Sequence, residues 1–146
     1  MGVELPFAPV DAVIRAQAGD LRVSAEAAEE LARRIQDRGA AIAVDAAERA
    51  AADGRKTLMA DDFDVDAVPD KDDLTLPIAP IDRIARLDID DSYRVAMDAR
   101  VALASLLEVF AGDVAAAAAT LARHADRRTV KAEDVQAYFE LQQYFE

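Results

Sequence analysis

Apolar residues recur along two long stretches of this chain at the spacing of one face of an α-helix. They are Leu31, Ile35, Ile42 and Ala46 in the first stretch, and Leu103, Leu107, Val114 and Ala118 in the second. Steps of four, seven and four residues return to the same side of a helix. The pattern predicts a long helix over about 24–52, with Ser24 as its N-cap, and a matching long helix in the second half. Each is too long for its short neighbours to cover, so its apolar face needs a second unit.

Short helices are expected before both long helices. Proline suits a first helical turn, so these helices should begin near Pro9 and Pro80. The first should end near Gly19, and the second between residues 88 and 91.

A tight polar turn, an extended apolar residue and a third helix are expected after each long helix. The third helix should begin near Ala60 in the first half and near Ala132 in the second. Pro69 lies in an acidic stretch that ends any helix. The last helix is expected to continue to Phe145, with its aromatic side chains in the core.

The two halves of the sequence repeat one another. Residues 4–11 return as 75–82 at a spacing of 71, and residues 54–63 return as 126–135 at a spacing of 72. Self-similarity at a fixed period indicates one structural unit present twice. One residue is inserted between the two blocks, around 89–92.

The repeat predicts the domain organisation. Halves of about 70 residues are close to the lower limit for an independent core. We therefore expect units at 1–68 and 75–146, joined by a linker at 69–74, to complete a shared core.

Charge and composition narrow the class of protein. The net charge is −12, it is divided about equally between the halves, and there is no cysteine. Such acidity is typical of proteins from a cytosol at very high salt. No apolar run of roughly 18 residues and no signal peptide is expected, which favours a cytoplasmic protein.

The sequence offers little for catalysis. The single histidine is His124, and no serine lies in a nucleophile motif. No enzyme activity, cofactor or metal site is predicted.

Basic residues recur at matching places in the two halves, against an acidic background. Matching pairs are Arg15 and Arg86, Arg22 and Arg94, and Arg55-Lys56 and Arg127-Arg128, each doublet being followed by threonine. Arginine, lysine and threonine all bind phosphate groups. Two of the arginines have a structural explanation instead, since Arg55 is expected to pair with Asp62, and Arg127 with Asp134.

These motifs resemble a known family. The Leu-Pro-x-Ala-Pro start, Arg-Val before a long helix, and Arg-Lys-Thr or Arg-Arg-Thr before Ala-Asp-Asp or Ala-Glu-Asp are similar to archaeal histones. The tandem acidic form resembles the histone doublets of salt-loving archaea. The resemblance implies an all-α fold of two tandem histone folds, short–long–short helices, forming an intramolecular handshake pseudo-dimer.

The resemblance also implies a DNA-binding site. Arg22 should lie beside Arg127-Arg128-Thr129, and Arg94 beside Arg55-Lys56-Thr57, with the starts of both first helices between them. The implied DNA-binding residues are Arg15, Arg22, Lys56, Thr57, Arg83, Arg86, Arg94, Arg128, Thr129 and Lys131. The first repeat has Ala12 and Met59 where cations are usual, so the second should bind DNA more strongly.

The implied function is that of a chromosomal protein. Double-stranded DNA is the expected partner, bound weakly and with tolerance to salt, on the nucleoid and with a possible regulatory role. Leu121, His124 and Asp134 resemble the family's oligomer interface, which implies a dimer of doublets joined through the second repeat. A histone-fold module that binds proteins of the transcription machinery is the alternative.

Overall fold

Two helices of 28 residues, Ala25–Ala52 and Met97–His124, dominate the computed structural model, which describes residues 2–145. In chain order the helices are α1 (Phe7–Ala18), α2 (Ala25–Ala52), α3 (Ile78–Ala85), α4 (Met97–His124) and α5 (Ala132–Gln142). The strands are β1 (Arg22–Val23), β2 (Thr57–Leu58), β3 (Arg94–Val95) and β4 (Thr129–Val130). Turns of 3₁₀ helix occupy Ala60–Phe63 and Lys71–Asp73.

Local signals in the sequence explain where several elements begin and end. The Ser24 Oγ accepts a hydrogen bond from the Ala27 N–H at 3.1 Å, which confirms the N-cap predicted for α2. Helix α1 ends at Ala18, and the next residue, Gly19, has a φ of 62°, in the left-handed region that glycine adopts easily.

The third element of the first repeat begins at Ala60 and ends at Phe63, before the acidic stretch, as expected, but it is a 3₁₀ turn and not an α-helix. Two expectations about helix ends were wrong. Helix α3 ends at Ala85, before residue 88.

Helix α5 ends at Gln142, before the aromatic tail. The side chains of Tyr144 and Phe145 are largely exposed, so the predicted aromatic core does not include them. Phe139 does pack, with its ring 6.1 Å from that of Phe110.

The predicted apolar stripes of the long helices form much of the core. Leu31, Ile35, Leu103, Leu107 and Val114 are fully buried, which confirms the helical period. Ile42 is only half-buried.

The expectation that no apolar run approaches 18 residues was wrong for helix α4. It contains an 18-residue window with a mean hydropathy of 1.7, long and apolar enough by composition to span a membrane. Half of that window is buried inside the protein. The same residues build the core, which accounts for the composition.

Strand pairing joins the two sequence repeats reciprocally. β1 pairs with β4 in parallel, with Arg22 opposite Thr129. β2 pairs with β3 in parallel, with Thr57 opposite Arg94. Each pair takes one strand from each repeat, as the handshake arrangement requires.

The structure divides into two compact units that each combine parts of both repeats. The β2–β3 unit contains residues up to Leu5 and Gln36–Glu108, and the β1–β4 unit contains Pro6–Ile35 and the chain from Val109 onward. Both boundaries fall within the long helices α2 and α4.

A glycine in α2 permits a close helix contact in the β2–β3 unit. A Cβ atom at Gly39 would lie 2.8 Å from Ile84 Cγ2 and 2.9 Å from Leu107 Cδ1. Both neighbours are fully buried, so little room exists for either to move.

We expect Gly39→Ala to lower the free energy of unfolding by about 1–2 kcal/mol, because overpacking outweighs the gain in helix propensity. Gly112→Ala in α4 is the matched control, since its Cβ would meet no atom within 4 Å. Gly112→Ala should raise the free energy of unfolding by about 0.5–1 kcal/mol. Urea unfolding of both variants checks this, and equal stabilisation by both would contradict the packing argument.

Candidate nucleic-acid interface

The β1–β4 pair brings together basic residues that lie more than 100 positions apart in sequence. The Arg22 N–H donates to the Arg128 carbonyl at 2.8 Å, and the Ser24 N–H donates to the Val130 carbonyl at 3.0 Å. The side chains of Arg22 and Arg128 are exposed, and Thr129 is half-buried. We call Arg22, Arg128, Thr129 and Lys131 the β1–β4 patch.

The β2–β3 pair repeats this arrangement. The Arg94 N–H donates to the Lys56 carbonyl at 2.8 Å, and the Ala96 N–H donates to the Leu58 carbonyl at 3.0 Å. Arg94 and Lys56 are exposed beside the half-buried Thr57. These three residues form the β2–β3 patch.

An ion pair fixes the loop beneath each patch. The Arg55 guanidinium donates to both oxygens of Asp62, at 2.9 and 2.8 Å, and to the Thr57 carbonyl at 2.9 Å. Asp62 is buried and also accepts the Met59 N–H at 2.8 Å. The Arg55 guanidinium lowers the pKa of Asp62, although burial opposes this shift.

The second repeat has the equivalent ion pair. Arg127 donates to both oxygens of Asp134, with a distance of 2.7 Å from Nη1 to Oδ2. Asp134 is buried and accepts the Lys131 N–H at 2.8 Å. Asp134 raises the pKa of Arg127. Arg55 and Arg127 therefore hold the loops, and the patches consist of the residues beside them.

Three of the arginines named as DNA-binding residues are paired with carboxylates. Arg15 contacts Asp11 at 2.6 Å, and Arg86 contacts Asp82 at 3.1 Å, each one helical turn away. The third pair, Arg83 with Glu4 at 2.8 Å, joins residues 79 positions apart.

Four of the five cations in the two patches are unpaired in the described part of the chain. Within residues 2–145, the side chains of Arg22, Arg94, Arg128 and Lys131 form no hydrogen bond or ion pair, and all four are exposed. They are available to a phosphate group without the loss of an existing partner.

Lys56 is held by residues that the sequence did not single out. Its Nζ donates to Ser92 Oγ at 3.3 Å and lies 4.8 Å from the Tyr93 ring centroid. Asp90 accepts the Ser92 N–H at 2.8 Å, and this bond lowers the pKa of Asp90. The one-residue insertion at 89–92 was the only signal of this arrangement.

The residues of the proposed oligomer interface differ in exposure. His124 is exposed in the last turn of α4, Leu121 is half-buried, and Asp134 is buried with both oxygens bound by Arg127. In the first repeat, Arg49 donates to the Asp62 carbonyl at 2.6 Å. No group of three or more potential metal ligands occurs within the described residues.

We expect Asp62→Asn to lower the free energy of unfolding at neutral pH by about 1–2 kcal/mol, allowing for solvent screening of the partly exposed Arg55. The folded pKa of Asp62 lies below its usual 3.8. The stabilisation is therefore present above that pH and is lost as the pH falls below it.

Chemical unfolding across acidic pH measures this difference. Asp53→Asn is the control, because Asp53 also contacts Arg55, at 3.2 Å, but is highly exposed. An equal effect of the two substitutions, or an Asp62→Asn effect that persists unchanged at the lowest pH, would contradict the prediction.

Comparison with known proteins identifies the family. The family model described as "Histone-like transcription factor (CBF/NF-Y) and archaeal histone" matches residues 3–65 and again residues 74–137. The archaeal histone HAN1 of Thermococcus zilligii is 55% identical over 60 residues, which are 41% of this chain and 87% of that protein.

Solved structures show the same fold. The crystal structure of the histone from Methanopyrus kandleri has a TM-score of 0.65 at 24% identity, over 90% of both chains. A protein from Thermus thermophilus has a TM-score of 0.70 at 15% identity, over 97% of this chain and 98% of that one. The prediction of two tandem histone folds is confirmed. The chain belongs to the family of histone-like transcription factors and archaeal histones, with the family unit present twice.

Proposed function

We propose that this protein is an architectural chromosomal protein that binds double-stranded DNA largely without sequence preference. The observation that carries the proposal is the duplicated patch: each strand pair places an exposed arginine beside another cation and a threonine. Basic side chains neutralise phosphates, and hydroxyl groups add phosphate hydrogen bonds. Contacts of this kind suit bent duplex DNA with little readout of bases.

The second repeat has cations at two predicted DNA-binding positions where the first repeat has none, and these two cations lie in different compact units. Lys131 belongs to the β1–β4 unit, whereas Arg83 belongs to the β2–β3 unit. Their counterparts in the first repeat are Met59 and Ala12, which also lie in different units. We therefore infer that the two units differ less in DNA binding than the two repeats differ in sequence.

Charge sets the conditions under which the protein works. With a net charge of −12, weak binding is expected, and the acidity supports a doublet of the type found in salt-loving archaea. We infer a chromosome-associated protein with local, regulatory effects on DNA rather than one that compacts the whole genome.

A second candidate function is the binding of proteins in the transcription machinery. The exposed Leu141, Tyr144 and Phe145 favour it, because large apolar side chains at a surface often mark protein contacts. Failure to bind DNA would make this the preferred function.

We also propose self-association through the second repeat, giving a dimer of doublets. Helix α4 offers Leu121 and the exposed His124 in its last turns, whereas Arg49 in the first repeat is bound to the Asp62 carbonyl. If only one end of each molecule can associate, the assembly is complete at two copies. Asp134 can take part only through atoms that its pairing with Arg127 leaves accessible.

His124→Ala should raise the dissociation constant of this dimer roughly tenfold, because the interface loses one well-placed side chain. Light scattering coupled to size exclusion, over a series of concentrations, measures the change. Thr120→Ala is the control, since the Thr120 hydroxyl already bonds to the Ala116 carbonyl of its own helix. A wild-type protein that stays monomeric throughout would exclude the proposed assembly.

DNA binding is tested by removing the unpaired cations of both patches. Arg22→Ala, Arg94→Ala and Arg128→Ala together should weaken binding by on the order of 100-fold at low salt and reduce the salt slope by about 3. Arg127 is left intact, because its loss would release the loop as well as a charge. Fluorescence anisotropy with a short duplex of mixed sequence, in potassium chloride from low to molar, gives both quantities.

A matched variant removes three cations outside the patches, by Arg33→Ala, Arg34→Ala and Lys71→Ala, and should bind nearly as wild type. The proposal fails if wild-type protein never binds the duplex. It fails equally if the two triple variants bind alike.

A further inference from the structure

The paired arginines occupy equivalent places in the two repeats. Asp11 and Arg15 are four residues apart in α1, and Asp82 and Arg86 repeat this spacing 71 residues later. The side chains of Arg15 and Arg86 are 56% and 40% exposed, so a phosphate can reach either guanidinium from solvent.

The carboxylates of these pairs are more recessed than the arginines. Asp11 and Asp82 are 15% and 20% exposed at the side chain, and Glu4, the partner of Arg83, is 31% exposed. Each carboxylate is therefore less accessible than the arginine that neutralises it. If the arginine leaves its carboxylate and binds a phosphate group, the carboxylate remains as a negative charge close to DNA.

The three carboxylates differ in what remains after that step. Asp82 keeps a second contact, with the Arg100 guanidinium at 3.1 Å. Asp11 keeps none among residues 2–145, and its Oδ1 is already buried without a hydrogen-bond partner. A poorly hydrated carboxylate without a partner is costly, so Asp11 has the greatest need of a replacement cation.

We propose that binding of double-stranded DNA to this chain is coupled to the uptake of alkali cations by Asp11, Glu4 and Asp82, as their arginines move to phosphate groups. This inference rests on the proposed DNA binding. Its consequence is an affinity that falls with salt less steeply than the number of phosphate contacts requires.

The ion balance gives the size of the effect. Each contact between an arginine and a phosphate releases about 0.9 cation from duplex DNA. For Arg22, Arg94 and Arg128 that release is uncompensated. For a paired arginine, the uncovered carboxylate takes up as much as one cation, and the net release is close to zero. Salt also screens the original ion pair, so the exchange becomes easier as the concentration rises.

The test compares salt slopes of variants matched in charge. The pair variant carries Glu4→Gln, Asp11→Asn and Asp82→Asn. The control carries Glu48→Gln, Asp64→Asn and Asp66→Asn, whose acidic side chains form no hydrogen bond or ion pair within the described chain. Both variants gain the same net charge. Binding to a short duplex of mixed sequence is measured by anisotropy from low to molar potassium chloride.

The pair variant should show a slope of log affinity against log salt that is steeper than that of wild type by about 2–3, or about 0.9 for each exchanged pair. The control should keep the wild-type slope. Asp11→Asn alone should steepen the slope by about 0.9. This single variant decides the matter if circular dichroism shows that the triple variant has lost its helices.

Equal slopes for wild type, Asp11→Asn and a folded pair variant would overturn the coupling and leave DNA binding intact. That result would mean that each arginine holds its carboxylate and the phosphate together. If the control variant shows an equally steep slope, the change in net charge causes the effect, and the coupling is overturned. Absence of wild-type binding even at low salt would instead overturn the proposed DNA binding itself.

Discussion

Backbone pairing between loops of different repeats is the constraint on which the rest of this structure depends. Each parallel pair is only two residues long, yet it fixes which loop of one repeat lies beside which loop of the other. An isolated pair of this length is not stable in water. The long helices must therefore bring the loops together, and the ion pairs of Arg55 with Asp62 and Arg127 with Asp134 hold each loop against the helical turn that follows.

This pairing explains how an acidic chain presents basic surfaces. Arg22 and Arg128 are far apart in sequence, but the register places their backbones in hydrogen-bond contact. Two neighbouring cations reinforce each other's attraction for a phosphate. The cations predicted to bind DNA then fall into two kinds. Those at the strand pairs have no carboxylate partner among the described residues, whereas Arg15, Arg83 and Arg86 are each paired with a carboxylate. In the function we propose, the first kind supplies affinity for a polyanion, and the second determines how that affinity responds to salt.

The sequence predicted features that depend on local spacing or on the repeat. The apolar stripes of α2 and α4 and the Ser24 cap follow from such patterns. The placement of Arg22 beside Arg128 and of Arg94 beside Lys56 was implied only by the resemblance to archaeal histones. The pairing of Asp11 with Arg15 was also accessible from its spacing of four residues. The contact of Glu4 with Arg83 was not, because 79 residues separate them. The exposure of Tyr144 and Phe145 was missed because an aromatic residue at helical spacing signals burial only where another element covers it.

The proposed DNA binding is tested most directly by titrating the labelled protein with a short DNA duplex and recording the backbone amide signals in NMR spectra. If the strand pairs bind DNA as proposed, the largest shifts occur around Arg22 and Thr129 and around Thr57 and Arg94. Shifts confined to α5 and the aromatic tail, or no shifts at low salt, would contradict that proposal.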